Sequence, residues 1–103
     1  MELIRKEERI IALDEFKEEM GFISWRVLED GVLQANHTYV NPKFRGRGIA
    51  QYLLNDLVAY ARENNKKIFA TCSYVVKVFS HGDEFKDVID PTRGIGDASC
   101  EIG

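Results

Sequence analysis

The strongest constraint on the fold is that the spacing of apolar residues differs before and after one loop. This loop, "NPKFRGRG", is rich in glycine and basic residues. Before the loop, Val32–Val40 has the pattern of a β-strand. After it, apolar residues recur on one face of a helix of about four turns: Ile49, Leu53, Leu54, Leu57, Val58 and Ala61. The apolar run "KIFATCSYV" then predicts a strand, Lys67–Tyr74, that is covered on both faces. This order predicts a right-handed β-α-β unit with two parallel strands.

Upstream of this unit, the chain has the pattern of two more strands and a hairpin. Arg9–Leu13 is a short apolar run, and in "EMGFISWRVLED" the more apolar alternate residues, including Ile23 and Trp25, are expected to face the core. Asp-Gly within Glu29–Gly31 favours a tight hairpin turn. In the returning strand, strict alternation puts one set of residues on a common side: Leu33, Ala35, His37 and Tyr39.

The predicted order of elements is β-β-β-loop-α-β-α. It indicates the α/β (α+β) class, with a mixed, mostly antiparallel sheet around a central β-α-β unit. No helical pattern separates Arg9–Leu13 from the hairpin. Downstream, "YVVKVFS" fits either a continued strand or a second short helix, and "EFKDVI" fits a short helix or an edge segment. We expect one domain over residues 1–90 and a loose tail, rich in glycine and small polar residues, over residues 91–103.

Composition narrows the class of function. The chain has 103 residues, 45% of them hydrophobic and 30% charged, which fits a single folded domain. Its net charge of −3 argues against a dedicated nucleic-acid binder, so a local cluster of Lys43, Arg45 and Arg47 carries more meaning. No apolar run approaches the ~18 residues of a membrane span. We therefore expect neither nucleic-acid nor membrane binding.

Cysteine and histidine usage predicts a reducing compartment and no metal. The two cysteines, Cys72 and Cys100, are too few for a disulfide framework, and the charged N-terminus has no signal-peptide pattern. The cytoplasm is therefore the expected location. No cluster of cysteine and histidine has the spacing of a zinc site, so no metal is expected.

The basic glycine loop has the features of an anion site. A helix N-terminus leaves its first N–H groups without intrahelical partners and carries a partial positive charge. Gly46 and Gly48 let a ligand approach these donors, while Arg45 and Arg47 add charge at the rim. The loop is neither a Walker loop nor the G-x-G-x-x-G dinucleotide fingerprint, so neither ATP nor NAD is favoured. A phosphate of another ligand is the expected occupant, and the alternative is a solvated loop with a good helix cap.

The segment "RGRGIA", Arg45–Ala50, resembles the R/Q-x-x-G-x-G/A signature of the Gcn5-related N-acetyltransferases (GNAT). A short branch of that family is similar over a longer pattern, HTxVxPxxRGxGIA followed by CSYV. This chain matches that pattern between His37 and Val75. The resemblance covers the chain from about Gly21 to Phe79.

The resemblance implies an acetyl-CoA-dependent N-acetyltransferase, in which the loop wraps the pyrophosphate and the preceding strand offers backbone groups to the pantetheine arm. It implies a set of cofactor-binding residues: Tyr39, Val40, Arg45, Gly46, Arg47, Gly48, Ile49 and Ala50. The helix pair that walls the acceptor side in typical members has no counterpart here, which predicts an open or differently built acceptor site. The amine acceptor is not identified by the residues, and a monomer or a weak homodimer is expected.

Three residues are candidates for the acyl-transfer chemistry that the resemblance implies. Cys72 is either a nucleophile or a residue that lines the acyl tunnel, and the alternative is an ordinary buried cysteine. Tyr74, expected on the strand face of Cys72, is a candidate acid for the leaving thiolate or else a half-buried strand tyrosine. Histidine is the side chain most often used as a catalytic base, so His37 is a candidate base or else a structural histidine.

Two other functions compete with the enzyme. A non-catalytic module that holds CoA or acyl-CoA and acts through a protein partner fits the missing acceptor-side helices. A nucleic-acid contact through the Arg-Gly loop fits least well, because the chain is acidic overall and has a single short basic cluster.

Overall fold

The computed structural model describes the backbone of residues 1–100 and the side chains of residues 1–95. Within this part of the chain, six strands form one sheet in chain order, accompanied by two α-helices. The elements are β1 (Glu2–Lys6), β2 (Arg9–Leu13), β3 (Glu19–Val27), β4 (Leu33–Val40), α1 (Ile49–Glu63), β5 (Ile68–Cys72), α2 (Ser73–Ser80) and β6 (Ile95–Cys100). Strands β1 to β4 pair antiparallel, whereas β4–β5 and β5–β6 pair parallel. The mixed sheet with its central β4-α1-β5 unit confirms the predicted fold class.

Helix α1 forms where the hydrophobic period predicts it and buries the predicted face. Its predicted apolar positions are all between 0% and 5% exposed. On the same side, the ring of Tyr60 packs on Trp25 of β3, with 5.5 Å between the ring centroids. Asn64 caps the C-terminus, and Asn65 takes a left-handed conformation (φ 55°), as expected of the asparagines there. In the described residues, neither helix is long and apolar enough to cross a membrane.

Strand β4 contains a bulge that the alternation of residues does not reveal. The register with β3 shifts at Asn36, which is an extra residue on β4. Leu33 and Ala35 are buried before the bulge, whereas Thr38 and Val40 are buried after it. The prediction of one common side for positions 33, 35, 37 and 39 is therefore wrong, because the bulge moves the alternation by one residue.

Strands β3 and β4 approach closely just before the basic loop. Gly21 pairs with Val40, and a Cβ atom at Gly21 would lie 2.3 Å from the carbonyl oxygen of Tyr39. Side-chain carbons do not approach a backbone oxygen so closely without displacing it. Glycine therefore permits the pairing that sets the end of β4.

Strand β1 is absent from the sequence prediction, because charged residues interrupt its apolar pattern. It is held to α1 by Arg5, whose guanidinium forms ion pairs with Asp56 (3.0 Å) and Glu63 (3.1 Å). Between β2 and β3 the chain makes a short turn, in which the Asp14 carboxylate accepts a hydrogen bond from the Phe16 N–H at 2.8 Å. As the sequence predicts, the described chain has no helix pair at this point.

The strand predicted over Lys67–Tyr74 is shorter in the structure, and of the two alternatives for "YVVKVFS" the second short helix forms. Strand β5 ends at Cys72 and α2 begins at Ser73, so Tyr74 lies in the first turn of a helix and not on the strand face of Cys72. Val75 and Phe79, about one helical turn apart, are both buried, which favours the helix over the strand that β-branched residues prefer. The segment "EFKDVI" forms turns, with an isolated bridge to β5 at its end.

The prediction of a loose tail over residues 91–103 is wrong for Ile95–Cys100, which forms β6 parallel to β5. Just before β6, Arg93 forms ion pairs with Asp30 (2.9 Å) and Asp90 (2.8 Å), which tie this segment to the β3–β4 hairpin. The sequence shows no periodic signal there, because pairing with a parallel neighbour, not an amphipathic pattern, sets the strand. Residues 101–103 lie outside the described residues.

Candidate functional site

Strands β4 and β5 separate at the end of the sheet where the basic loop begins. They pair only at positions 33–35 against 68–70, so the last half of β4 has no partner in β5. The Asn41 N–H donates to the Met20 carbonyl at 2.8 Å across the hairpin, and the preceding residue Val40 therefore turns its backbone groups the other way. Because the direction of the backbone groups alternates along a strand, the N–H and C=O groups of Thr38 also point away from β3 and into the gap. The gap between the two strands is thus walled by backbone N–H and C=O groups of β4.

The basic loop is a short 3-10 turn followed by two left-handed glycines. Asn41 begins the turn Pro42–Phe44 with its side-chain oxygen accepting a backbone N–H at 3.0 Å, and Phe44 is buried in the core. Gly46 (φ 84°) and Gly48 (φ 74°) then take angles that other residues rarely adopt. A Cβ atom at either glycine would meet no atom within 4 Å. The space that these glycines leave is therefore open to a ligand.

The loop leads directly into α1, and Gly48 is the N-terminal cap of this helix. The first hydrogen bond of the helix runs from the Tyr52 N–H to the Gly48 carbonyl at 3.2 Å. The N–H groups of Ile49, Ala50 and Gln51 accordingly have no acceptor within the helix. No acidic residue lies in the first turn, so no carboxylate there competes for these donors. This end of α1 has the donors and the charge that an anion needs.

A cavity of about 300 Å³ opens over this helix end, and we call it the loop cavity. Most of the predicted cofactor-binding residues line it: Val40, Arg45, Gly46, Gly48, Ile49 and Ala50. Gln51 and Tyr74 also line it, and Gln51 is not among the cofactor-binding residues predicted from the sequence. Its signal was its position three residues after the cap glycine, in the first helical turn. Tyr39 lies elsewhere, with its ring 5.7 Å from that of Phe22 on the other face of the sheet.

The three cations of the loop are placed differently. Arg45 lines the loop cavity, and its Nε donates to the last carbonyl of β4 at 3.0 Å, which leaves its Nη groups for a ligand. Arg47 lies over the ring of Phe44 at 5.4 Å and lines a separate cavity. Lys43 is paired with Glu18 at 2.9 Å, and this hydrogen bond raises the pKa of Lys43. Arg45 is thus the loop cation that faces the loop cavity.

Cys72 is fully buried at the end of β5, beside the gap. Its thiol donates to the hydroxyl of Thr38 across the gap, with 3.4 Å between Sγ and Oγ1. The bulge in β4 turns Thr38 toward this thiol. Unbroken alternation along the strand does not predict this contact. Cys72 therefore lies on the β5 side of the gap and does not line the loop cavity.

Tyr74 and His37 lie in different places. The Tyr74 hydroxyl lies 3.5 Å from the side-chain oxygen of Gln51, at the edge of the loop cavity. Burial raises the pKa of Tyr74, so its phenol stays protonated at neutral pH and can donate a proton. His37 is half-buried on the opposite face of the sheet, with its ring 5.6 Å from that of Phe22. The structure therefore brings Tyr74 to the loop, Cys72 to the gap and His37 to the uncovered face.

Among the described side chains, no group of three or more histidine, cysteine, aspartate or glutamate residues is placed to hold a metal ion. The groups that a ligand can contact are therefore the backbone donors at the start of α1, the side chains of Arg45 and Tyr74, and the backbone of β4 in the gap.

A parallel strand pair that separates where a basic glycine loop leads into a helix is the central feature of this α/β protein. The family model for GCN5-related N-acetyl-transferases matches residues 9–88, a range that contains the whole of this site. The chain therefore belongs to the GCN5-related N-acetyltransferase family, and it is an enzyme of the acetyltransferase class.

Solved structures agree with this assignment. The chain is 29% identical to a candidate GCN5-like N-acetyltransferase from Staphylococcus aureus, with a TM-score of 0.71 over 86% of this chain and 87% of that one. It is 26% identical to a candidate acetyl transferase from Pyrococcus furiosus, with a TM-score of 0.54 over 74% of this chain and 58% of that one. A comparison with curated protein sequences gives no match. The family resemblance of the basic loop is confirmed.

Proposed function

We propose that this chain transfers the acetyl group of acetyl-CoA to an amine. The observation that carries the proposal is the loop cavity, in which the open N-terminus of α1 and the Arg45 guanidinium face the same space. A pyrophosphate is an anion with many acceptor oxygens, and it suits several converging N–H donors. Membership of an acetyltransferase family supports acetyl-CoA as the ligand that brings this pyrophosphate.

The pantetheine arm would run from the loop cavity into the gap between β4 and β5. The arm is extended, and its amide groups can form the hydrogen bonds that a neighbouring strand would form. They would do so along the half of β4 that does not pair with β5. The backbone groups of Thr38 and Val40 are the matching donors and acceptors. The thioester would then lie deeper in the gap than the pyrophosphate, beside β4, where a backbone N–H can stabilise the oxyanion.

The proposed reaction is direct attack by the amine on the thioester carbonyl carbon. The C–N bond forms, the C–S bond breaks, and the extra proton on the amine passes to a base or to water. The departing thiolate takes a proton from Tyr74, whose phenol lines the cavity and whose pKa is raised by burial. Solvent then returns this proton to Tyr74.

Cys72 and His37 have different proposed roles. Cys72 is proposed to line the acyl end of the gap and not to act as a nucleophile, because its thiol is buried and already donates to Thr38. His37 is the proposed base for the amine. It lies on the face of the sheet that no helix pair covers in the described residues, and this face is the open route for an acceptor.

A combined binding and turnover experiment tests this function. Calorimetric titration with acetyl-CoA is expected to show saturable binding, and a panel of amines is expected to include at least one that releases free CoA thiol. Tyr74→Phe should lower this rate, whereas the matched control Tyr52→Phe, at an exposed tyrosine outside the loop cavity, should not. Binding without turnover of any amine would instead support a non-catalytic CoA-binding module. No binding at millimolar acetyl-CoA would refute both.

A further inference from the structure

The uncovered face of the sheet carries a small cluster of side chains around one aromatic ring, that of Phe22. The ring of His37 on β4 lies 5.6 Å from it, and the ring of Tyr39 lies 5.7 Å from it. From the neighbouring strand β2, the guanidinium carbon of Arg9 lies 4.2 Å from the centroid of the same ring. The strand register explains this arrangement, because Arg9 pairs with Ser24 and Ser24 pairs with His37. Arg9 and His37 therefore contact the same ring from adjacent strands.

Arg9 is an exposed arginine without a carboxylate partner among the described residues. Three other arginines all form ion pairs with carboxylates: Arg5, Arg62 and Arg93. Glu7 and Glu8, in the turn between β1 and β2, are close to Arg9 along the chain, yet neither forms an ion pair with it. Glu2, farther along β1, is paired with Lys17. The positive charge of Arg9 is therefore open to a ligand.

The contact with Phe22 determines which part of the Arg9 guanidinium a ligand can reach. A guanidinium over an aromatic ring is attracted through its flat face, and its N–H edges stay free to donate. Those edges can hold a carboxylate or a phosphate through two parallel hydrogen bonds. The ring also restrains a long side chain, so less conformational freedom is lost when an anion binds. Arg9 thus has the geometry of an anion-binding group.

His37 connects this anion-binding group with the proposed reaction. It is the proposed base for the amine, and its strand β4 borders the gap in which the thioester would lie. An acceptor whose amine approaches His37 can therefore extend over the Phe22 ring toward Arg9. An anionic group at its far end would be attracted there, whereas a second ammonium would meet a like charge.

We propose that the acceptor is an amine that also carries an anionic group, a carboxylate or a phosphate, and that Arg9 binds this group while His37 receives the ammonium proton. This inference rests on the proposed function, because it concerns the acceptor of the same transfer. The C–N bond that forms and the C–S bond that breaks are unchanged, and Arg9 exchanges no proton. Polyamines and lysine-rich peptides are accordingly expected to be poor acceptors.

The test compares acceptors that differ only in the charge at their far end. A series of ω-amino acids of increasing length is measured beside the neutral primary amides and the diamines of the same lengths, and aminoalkyl phosphates distinguish phosphate from carboxylate. Release of free CoA thiol gives kcat/KM for each compound. The unaltered enzyme is expected to use its best anionic acceptor roughly tenfold more efficiently than the matching amide, the order of one charge-assisted hydrogen bond. The diamine should be poorer still.

Variants of Arg9 show whether this residue causes the preference. Arg9→Met should remove it by raising KM for the anionic acceptors, with the amides and KM for acetyl-CoA unchanged, whereas Arg9→Lys should keep part of it. Arg9→Glu should reverse it, so that the diamine becomes better than the ω-amino acid. Arg26→Met is the matched control and should leave the preference intact, because Arg26 is an exposed arginine on β3 that has no ring contact or ion pair among the described residues.

The outcomes separate this inference from the proposed function. Turnover of amines without a preference for the anionic ones, or a preference that survives Arg9→Met, would overturn the role of Arg9 and leave acetyl transfer in place. An equal loss with every acceptor in Arg9→Met would overturn it too, because Arg9 would then only support the Phe22 and His37 rings. No turnover of any amine would overturn both proposals. Thermal unfolding of each variant checks that a lost preference is not a lost fold.

Discussion

Replacing Gly48 by alanine should separate the stability of the basic loop from its ability to bind an anion. Gly48 has a φ of 74°, and a Cβ atom there would meet no atom within 4 Å. The only cost to the free protein is therefore the left-handed backbone, on the order of 1–2 kcal/mol for a residue with a side chain. In a domain of this size, that corresponds to a melting temperature lower by about 4–16 °C.

Gly94→Ala is the matched control. Gly94 also has a positive φ, 66°, and open space around its Cβ position, but it lies before β6 and does not line the loop cavity. Both variants should lose similar amounts of stability. Only the methyl group at position 48 would lie in the loop cavity, where the proposed pyrophosphate would approach the first N–H groups of α1. We expect Gly48→Ala to bind acetyl-CoA at least roughly tenfold more weakly, a loss of about 1.4 kcal/mol.

The assay is thermal unfolding with and without acetyl-CoA, at a concentration about one hundred times the dissociation constant of the unaltered chain. The ligand should then stabilise the unaltered chain and Gly94→Ala by about 2.7 kcal/mol, and Gly48→Ala by about 1.4 kcal/mol or less. If Gly48→Ala keeps the full stabilisation, the ligand does not approach the cap of α1, and the pyrophosphate site is misplaced.

Three further predictions address the sheet and the chemistry. Gly21→Ala should lower the free energy of unfolding in urea by about 3 kcal/mol, because the new methyl group would lie 2.3 Å from the Tyr39 carbonyl oxygen; a loss below about 1 kcal/mol would contradict the close approach. Tyr74→Phe should reduce kcat by about 10²-fold or more at neutral pH. Since the acid must be protonated, the rate of the unaltered enzyme should hold up to the raised pKa of Tyr74, above its ordinary value of about 10, and fall beyond it. An unchanged pH profile in Tyr74→Phe would rule out this role. Intact-mass spectrometry after incubation with acetyl-CoA should show no acetyl adduct on Cys72, and Cys72→Ser should still turn over; an adduct that disappears in Cys72→Ser would establish a covalent mechanism instead.

The helix and its loop could be predicted because their signals are local. The buried face of α1 follows directly from the 3.6-residue period, and the glycines at its start occupy the left-handed positions that glycine favours. The missing helix pair before the hairpin is likewise visible as the absence of a helical period. These features depend on neighbours within a few residues along the chain.

Other elements depend on distant partners, and the sequence left them open or predicted them wrongly. The segment beginning at Tyr74 is rich in β-branched residues, which favour a strand, yet it forms α2 because Val75 and Phe79 find apolar neighbours on one side. Asn36 carries no mark of a bulge, because a bulge exists only relative to the strand opposite. Strand β6 forms by pairing with β5, in a segment whose own composition favours a loop.

The sequence by itself determined the order of the central elements, the basic, glycine-rich character of the loop and the family. Each of these depends on residue type and spacing, which act through local backbone angles and hydrophobic period. Only the tertiary structure decided which side chains meet at the site. It placed Tyr74 beside Gln51, turned Thr38 toward Cys72, and directed Arg45 and Arg47 to different cavities. Those contacts join residues far apart in the chain, and the register of the strands and the packing of α2 set them.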